Sequence, residues 1–301
     1  MRIIITDSIE EFNIKAADIV SQQISSNPRT VFGAPTGETP LGLYRELVDR
    51  CKAGAIDFSQ ATCFSLDEYI GISPDHSQSS HYYMHNNFLK HINISEENIF
   101  IPNGMTQDIF GECRSYDNMI DSYGGIDFLI LGIGQNGHIG FNEPADTFPS
   151  SSHLVELKES TINANARFFE NKLDVPRYAI TVGVKTIMQA KKVLLMAHGN
   201  SKTAAMQKAL EEDVTPQVPA SILQYHHDVT IIADKAAASR FGKEAIYNYS
   251  WPRPMFEAIS FMIDHHQILL FPGLIAVYSC ILSFRASSCN PAPQHPRYHP
   301  D

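Results

Sequence analysis

The chain has 301 residues, 44% of them hydrophobic, and a formal net charge of −10 at pH 7. This length and hydrophobic content suffice for one sizeable α/β domain with room for an appendage. The acidic balance argues against nucleic acid as the main partner, so an anionic ligand would require a local cluster of basic groups.

The five cysteines are scattered along the chain, and none of them forms a Cys-x-x-Cys pair. This usage fits a reducing compartment and indicates neither a disulfide framework nor a zinc site. Residues 1–8, MRIIITDS, read as an opening strand and not as a secretory segment. We therefore expect a cytoplasmic protein.

Short apolar runs alternate with amphipathic stretches along most of the chain. Residues 3–6 read as a strand, and Ser8 with Glu11 forms a capping-box pattern ahead of a helix. Further strands are predicted over residues 30–34, 61–66, 126–131, 178–184, 192–197 and 229–233, and a last helix over residues 234–243. The alternation predicts an α/β fold with a mostly parallel open sheet and helices on both faces, a Rossmann-like three-layer arrangement.

The turn after the second predicted strand has the composition of an anion site. It reads Pro-Thr-Gly-Glu-Thr-Pro over residues 35–40. Thr39 suits a helix N-cap, and Pro40 suits the first helical position. Backbone N–H groups and the helix dipole favour an anion at such a helix start. Most turns of this kind are only structural, so the turn does not by itself decide the function.

Two acidic residues follow the third predicted strand. Asp67 and Glu68 are poor strand formers and lie where the carboxyl ends of parallel strands build sites. From the sequence alone, a solvated turn is an equally good interpretation. His81 and His85 have a spacing that zinc helices use, but no Glu follows His81, and we predict no metal.

The most informative segment is residues 126–144, IDFLILGIGQNGHIGFNEP. It opens as a buried strand and continues through four glycines, which permit positive φ and close approach of the backbone to a ligand. Four polar side chains lie within this turn: Asn136, His138, Asn142 and Glu143. On spacing alone, a plain strand-to-loop turn with one satisfied histidine explains the pattern as well as a site does.

The run GIGQNGHIGFNEP resembles the signature of the glucosamine-6-phosphate deaminase family, because the strand, the Gly-His and the Phe-Asn-Glu-Pro are joined without a gap. The resemblance covers residues 1 to about 240. It implies an aldose–ketose isomerisation coupled to loss of an amine, in which glucosamine 6-phosphate and water give fructose 6-phosphate and ammonia. It also implies that no metal, flavin or nicotinamide cofactor is required.

The resemblance assigns roles to individual residues. Asp67 would move a proton between C2 and C1, while His138 would open the sugar ring with Glu143 orienting it and Asn136 in support. The phosphate would be held by Thr36, Gly37, Thr39, Arg167 and Lys202. Position 38 is often small in that family and is Glu here. A carboxylate beside a phosphate is unfavourable when desolvated, so we expect Glu38 to point into solvent.

The family pattern ends near residue 240. Residues 241–301 hold seven of the 17 prolines, and residues 268–284 form an apolar run interrupted by Pro272 and Gly273. This run is at the short limit for a membrane span of about 20 residues, and we do not expect a membrane anchor. We predict a domain over residues 1–243 and an atypical, partly disordered extension over residues 244–301.

Three alternatives remain open at this point. The first is the same reaction on galactosamine 6-phosphate, a substrate that differs from glucosamine 6-phosphate by one axial hydroxyl. A sugar-phosphate lactonase shares the fold and the Gly-His turn but not the Phe-Asn-Glu-Pro. A non-catalytic sugar-phosphate sensor is motivated by Glu38 and the extension, whereas Asp67, His138 and Glu143 argue for catalysis. The expected partner is in each case a small sugar phosphate and not nucleic acid, with the protein a monomer or a homo-oligomer.

Overall fold

The computed structural model describes residues 1–241, so the predicted extension over residues 244–301 lies outside the described part. The strands are β1 (Arg2–Thr6), β2 (Val31–Ala34), β3 (Thr62–Ser65), β4 (Asp67–Tyr69), β5 (Ile99–Phe100), β6 (Phe128–Gly132), β7 (His153–Glu156), β8 (Tyr178–Thr181), β9 (Val193–Ala197) and β10 (Val229–Asp234). The helices are α1 (Ile9–Ser26), α2 (Leu41–Lys52), α3 (Ser80–Asn87), α4 (Ile109–Ser122), α5 (Glu159–Asn165), α6 (Val184–Gln189) and α7 (Thr203–Glu211).

Seven strands form the main sheet in the order β1-β10-β9-β6-β2-β3-β5. Every neighbouring pair in this sheet is parallel. The predicted mostly parallel α/β fold is therefore confirmed. Continuous apolar runs form these strands because a parallel sheet that is covered on both faces has no solvated side.

Alternate residues of the central strands pack into two separate cores, one on each face of the sheet. Leu129 and Leu131 of β6 join a core with α4 and α7. Phe128 and Ile130, also of β6, join a second core with α1 and α2. The period of two along β6 thus separates the helices into two layers, as a three-layer fold requires.

The chain reverses its direction of winding across the sheet between β2 and β6. From β2 it proceeds through β3 to β5, and from β6 it proceeds the other way through β9 to β10. In open α/β sheets, ligands bind outside the carboxyl ends of the strands at such a switch point. The loops after β2 and β6 are therefore the expected walls of a site.

A second sheet, which the sequence did not predict, contains three antiparallel strands in the order β4-β8-β7. The predicted strand over residues 178–184 is present as β8, but it belongs to this sheet. Asp67 and Glu68, expected to form a turn or the end of a strand, form β4 and are buried. The backbone of Asp67–Tyr69 pairs with β8, which compensates for the low strand propensity of the two acids.

Two helix predictions need correction. Helix α2 begins at Leu41, one residue later than predicted, and Pro40 occupies the N-cap position without a side-chain cap. Residues 235–240 form turns and not the predicted helix. The N–H of Ala238 bonds four residues back, whereas those of Ser239 and Phe241 bond three residues back, so no regular ladder forms.

Among the helices of residues 1–241, none has both the length and the apolar character needed to span a membrane.

Candidate active site

The loop after β6 brings the imidazole of His138 back over the backbone of Gly134. The N–H of Gly134 donates to the carbonyl of His138 at 2.8 Å, and that of Gly137 donates to the carbonyl of Gly134 at 3.1 Å. Gly137 has φ of +88°, which favours glycine. A Cβ built on Gly134 would lie 2.4 Å from Cε1 and Nε2 of His138. The glycine at position 134 therefore leaves the space that the imidazole ring fills.

We predict that Gly134→Ala lowers kcat at least about tenfold while leaving the fold intact, because a displacement near 1 Å in a catalytic group can cost 10²-fold. The added methyl group meets the far end of the His138 side chain, so the ring moves and the backbone does not. Gly132→Ala is the matched control, since a Cβ there meets no atom within 4 Å. Equal kcat values for the two variants would contradict this prediction; circular dichroism confirms folding.

A buried carboxylate lies beside the imidazole. Oε2 of Glu143 is 3.5 Å from Nδ1 of His138, and Glu143 is almost fully buried. Nδ2 of Asn136 donates to the same Oε2 at 2.7 Å, and the N–H of Lys158 donates to Oε1 at 3.3 Å. Oγ1 of Thr161 lies 3.4 Å from Nδ1 of His138. Glu143 and Thr161 therefore hold the imidazole from its Nδ1 side, and Asn136 and Lys158 hold Glu143 in turn. Within residues 1–241, no protein group is hydrogen-bonded to Nε2 of His138.

Asn136 contacts both the turn and the carboxylate. It was expected to orient His138 by a hydrogen bond without supplying charge. Oδ1 of Asn136 accepts from the backbone N–H of His138 at 3.2 Å, while Nδ2 donates to Glu143. Asn136 therefore positions the carboxylate and the turn, and it acts on the imidazole through them.

The pKa of Glu143 reflects opposing influences. Burial acts to raise the pKa, but the hydrogen bond and the charge of His138 act against it, with help from Thr161 and Asn136. The result is a pKa below the ordinary value for Glu. Glu143 is thus ionised at neutral pH and stabilises positive charge on the imidazole of His138.

Asp67 is a buried carboxyl group on β4 that titrates near neutral pH. Burial is the main cause that raises its pKa, to about 7, and the charge of Glu68 adds to the effect. The hydroxyl of Ser80 donates to Oδ1 of Asp67 at 3.3 Å and acts in the opposite direction. A group with a pKa near the working pH can both accept and return a proton, which suits general acid–base catalysis.

Glu68, the neighbouring acid, is committed to the backbone. Its carboxylate accepts from the N–H groups of Tyr69 and Ser80 at 2.8 Å and of His81 at 2.9 Å. It therefore joins β4 to the first turn of α3, where a helix start favours a negative charge. Its role is structural, and Asp67 is the acid of this pair that is available for chemistry.

Asp67 and His138 each lie near part of the segment formed by residues 139–142. A Cβ on Gly140 would lie 4.0 Å from Oδ2 of Asp67, and the ring of Phe141 lies 6.2 Å from that of His138. Nδ2 of Asn142 holds this segment by donating to the carbonyls of Ile139 at 3.0 Å and Val182 at 2.8 Å. Asp67 and His138 follow β3 and β6, respectively, whose carboxyl ends lie at the same edge of the parallel sheet.

Two tyrosine hydroxyls, which the sequence analysis missed, hold the loop after β2. Tyr44 donates to the carbonyl of Pro35, and Tyr83 donates to that of Gly37. In a trans peptide the N–H points away from the carbonyl, so these bonds orient the N–H groups of Thr36 and Glu38 away from the tyrosines. Gly37 has φ of +109°, and a Cβ there would meet nothing within 4 Å. Thr36, Gly37 and Thr39 therefore belong to a fixed loop with an open approach.

Arg167 and Lys202 adjoin this loop, and Glu38 lies with them. Nη2 of Arg167 is 2.7 Å from Oε2 of Glu38, and the Glu38 side chain is 48% exposed, so Glu38 reaches solvent as expected but is also paired with a cation. Burial, and then the charge of Arg167, lower the pKa of Lys202, while Glu38 acts in the opposite direction. The structure thus brings both predicted basic residues to one place and adds a carboxylate to them. The guanidinium also lies 4.7 Å from the ring centroid of Phe168.

The His81–His85 pair has no metal site around it. The two rings stack with centroids 6.4 Å apart. Within residues 1–241, no group of three or more His, Cys, Asp or Glu side chains is arranged to hold a metal ion.

Comparison with known proteins gives consistent matches over the described part of the chain. The family described as glucosamine-6-phosphate isomerases/6-phosphogluconolactonase matches residues 7–232. The chain belongs to this family. A glucosamine-6-phosphate deaminase of Thermoanaerobacter sp. (strain X514) is 54% identical over 239 residues, which cover 79% of this chain and 94% of that protein.

Solved structures of the family agree. A monomeric glucosamine-6-phosphate deaminase matches with a TM-score of 0.78 and 43% identity, covering 79% of this chain and 99% of its own. The 6-phosphogluconolactonase of Trypanosoma brucei matches with a TM-score of 0.64 at 18% identity, covering 80% and 98%. At that identity the second match establishes a shared fold and nothing about the reaction. Family membership confirms the resemblance that was based on residues 132–144.

Proposed function

We propose that the protein converts glucosamine 6-phosphate and water to fructose 6-phosphate and ammonia, and the proposal is supported by relatives at 54% and 43% identity that are named glucosamine-6-phosphate deaminases. The observation that supports this proposal is that three kinds of group follow the carboxyl ends of β3, β6 and β9, which are strands of one parallel sheet. These are a buried carboxyl group with a pKa near 7 (Asp67), an imidazole–carboxylate pair (His138 and Glu143) and a basic group (Lys202), whose pKa burial and the charge of Arg167 lower. Proton transfer and phosphate binding need such groups together.

His138 is assigned to ring opening. A neutral imidazole accepts the proton of the C1 hydroxyl and delivers a proton to the ring oxygen as the bond between C1 and that oxygen breaks. The contacts with Glu143 and Thr161 on the Nδ1 side leave Nε2 to face the sugar. The ionised Glu143, with Asn136 in support, stabilises the imidazolium that forms between the two transfers.

Asp67 is assigned to the isomerisation. As a carboxylate it accepts the proton of C2, and the electrons of that bond form the C1–C2 double bond of an enolamine. The π bond of the C1 carbonyl breaks in the same step, and its oxygen takes a proton from the ammonium group at C2. As a carboxylic acid it then returns a proton to C1, and the nitrogen at C2 becomes an iminium. Water adds to this carbon, ammonia leaves, and the ketone of fructose 6-phosphate remains. A pKa of about 7 allows Asp67 to serve in both protonation states at neutral pH.

The phosphate is assigned to the loop after β2 and to the two basic side chains. The N–H groups of the fixed loop, Thr36, Gly37 and Thr39, and the start of α2 favour an anion. Arg167 supplies a guanidinium suited to two parallel hydrogen bonds, and Lys202 supplies a point charge. No metal or cofactor enters the proposed steps. The proposal includes a place in amino-sugar breakdown, including that of N-acetylglucosamine, in the cytoplasm.

An assay on three sugar phosphates tests this function. Ammonia and fructose 6-phosphate are measured with glucosamine 6-phosphate, and galactosamine 6-phosphate tests the axial alternative with its own ketose product. Hydrolysis of 6-phosphogluconolactone tests the lactonase alternative. We expect equal amounts of ammonia and fructose 6-phosphate from the gluco substrate. Binding of this sugar phosphate without product would favour the sensor alternative and overturn the proposal.

We predict that Arg167→Ala and Lys202→Ala raise KM about tenfold or more, with a smaller change in kcat. The phosphate is present in both the ground state and the transition state, and loss of such uniform binding appears in KM. Lys208→Ala is the matched control, because Lys208 is an exposed cation on α7 six residues beyond Lys202. An unchanged KM in both test variants would show that the phosphate is held elsewhere.

A further inference from the structure

The pairing of Glu38 with Arg167 is a feature that phosphate binding does not require. The two side chains are 2.7 Å apart and remain 48% and 61% exposed, respectively. The pair joins residues that are 129 positions apart in the sequence. A hydrogen bond of the guanidinium is therefore already made by an internal carboxylate.

The charges at this place are only partly matched to a phosphate ester. Arg167 and Lys202 contribute +2 and Glu38 contributes −1, so the cluster carries a net charge of +1. A phosphate monoester carries about −1.5 to −2 at pH 7. Burial and the charge of Arg167 lower the pKa of Lys202 and the charge of Glu38 acts to raise it, so all three side chains share one electrostatic environment. A phosphate at Arg167 meets a like charge unless Glu38 moves away.

Movement of Glu38 requires only its side chain. Its carbonyl accepts from the N–H of Leu41 at 3.2 Å, and the preceding carbonyl, of Gly37, accepts from the hydroxyl of Tyr83. The backbone on both sides of the Glu38 side chain is thus held, while the carboxylate is half exposed. Rotation of the side chain into solvent frees Arg167 and leaves the loop in place.

We propose that Glu38 is a specificity-determining residue that occupies Arg167 in the free protein and competes with incoming anions for it. The inference rests on the proposed function of the cluster as the phosphate site. A small anion gains only the contacts of the cluster, so the competition weakens its binding. A sugar phosphate also gains contacts along the sugar, so it displaces the carboxylate. Glu38 therefore lowers the affinity for inorganic phosphate relative to that for the substrate.

If Glu38 instead helps phosphate to bind, its substitution is expected to have the opposite effect on affinity. A carboxylate that holds Arg167 in the binding position would strengthen phosphate binding, and its removal would weaken the binding of every anion. The sign of the effect of Glu38→Gln decides between the two roles. The substitution keeps the size of the side chain and removes only its charge.

The test compares full-length wild type, Glu38→Gln and Glu97→Gln. Glu97 is an exposed acid in the turn just before β5, at the opposite end of the strands, so its substitution makes the same change in net charge away from the site. We expect Glu38→Gln to lower Ki for inorganic phosphate about two- to fivefold, the range of an exposed ion pair. KM should fall less than Ki, and 0.5 M KCl should shrink both differences. Glu97→Gln should match wild type.

A second readout does not depend on turnover. Inorganic phosphate should raise the Tm of Glu38→Gln more than that of wild type, because tighter binding stabilises the folded state more. In an Arg167→Ala background, Glu38→Gln should change this phosphate response less than it does in the wild-type background. A double-mutant cycle gives this result when Glu38 competes with phosphate through Arg167. If no sugar phosphate is turned over, the proposed function fails while this measurement still decides the role of Glu38. An unchanged or weaker phosphate response in Glu38→Gln overturns the inference.

Discussion

Asp67→Asn is expected to lower kcat by on the order of 10²–10⁴-fold, the range of a lost general acid–base group. The amide has nearly the shape of the carboxyl group but cannot accept the C2 proton at neutral pH. KM should stay close to wild type, because the proposed phosphate contacts are made by other residues. The measurement is steady-state release of ammonia and fructose 6-phosphate from glucosamine 6-phosphate.

Asp49→Asn provides the matched control, since Asp49 is exposed on α2. It should retain the activity of wild type. A second readout is isotopic: in deuterated water the wild-type enzyme should place some deuterium at C1 of the product, because a carboxylic acid exchanges its proton while the intermediate is held. Full activity in Asp67→Asn would show that another group moves this proton.

The same substitution is expected to stabilise the folded protein at pH 8. The folded state raises the pKa of Asp67 from 3.8 to about 7, so it binds this proton more tightly than the unfolded chain does. The associated stability is fully present below pH 3.8 and is lost as pH rises through 7. Asn mimics the protonated form at every pH. The variant should exceed wild type by at most about 4 kcal/mol at pH 8, with the difference vanishing near pH 4.

Urea unfolding at several pH values measures this difference, and it distinguishes the two roles of Asp67. A carboxylate kept in place for structure would make the Asn variant less stable at pH 8. If Asp67 is instead kept for catalysis, its buried charge destabilises the folded state. The Asn variant should then be more stable than wild type and also inactive. Stability sacrificed at a functional group in this way is a common feature of active sites.

The parts of the fold that the sequence predicts well are those with local patterns. Six of the seven strands of the main sheet lie within two residues of their predicted bounds, because apolar runs between turn residues mark them directly, whereas the two-residue β5 was not predicted. The second sheet was missed because its pairing is not local: β4 begins with two acids and is a strand only through its contact with β8. The predicted helix after β10 was wrong because its propensity was not matched by a regular hydrogen-bond ladder.

The same distinction between local patterns and contacts of distant segments applies to the site. His138 and Glu143 could be proposed as a pair from the sequence because one continuous motif contains both, and they are in contact in the structure. The groups from other segments that contact the proposed catalytic side chains were missed, since Ser80 beside Asp67 and Thr161 beside His138 have no distinguishing pattern of their own. The contact of Glu38 with Arg167 likewise depends on the folding of two distant loops, and only the structure reveals it.

His138→Gln is expected to lower kcat with glucosamine 6-phosphate by on the order of 10²-fold or more, through loss of the ring-opening base. The defect should be smaller with an analogue methylated on both its C4 and C5 hydroxyls, which stays open-chain because it can close neither the five- nor the six-membered ring. His91→Gln is the matched control, because His91 is exposed in the turn that follows α3 and lies outside the proposed site.

The comparison of the two substrates separates the roles of the two titratable groups. If His138 acts only in ring opening, the ratio of wild-type to variant rates should fall at least about tenfold on the open-chain analogue, whereas the corresponding ratio for Asp67→Asn should stay the same. The structure provides for this independence, because His138 is fixed from the Nδ1 side by Glu143 and Thr161, whereas Asp67 is fixed on β4 by Ser80. A His138→Gln variant that is equally slow on both substrates would place His138 in the later proton transfer as well, and Asp67 would then not act alone.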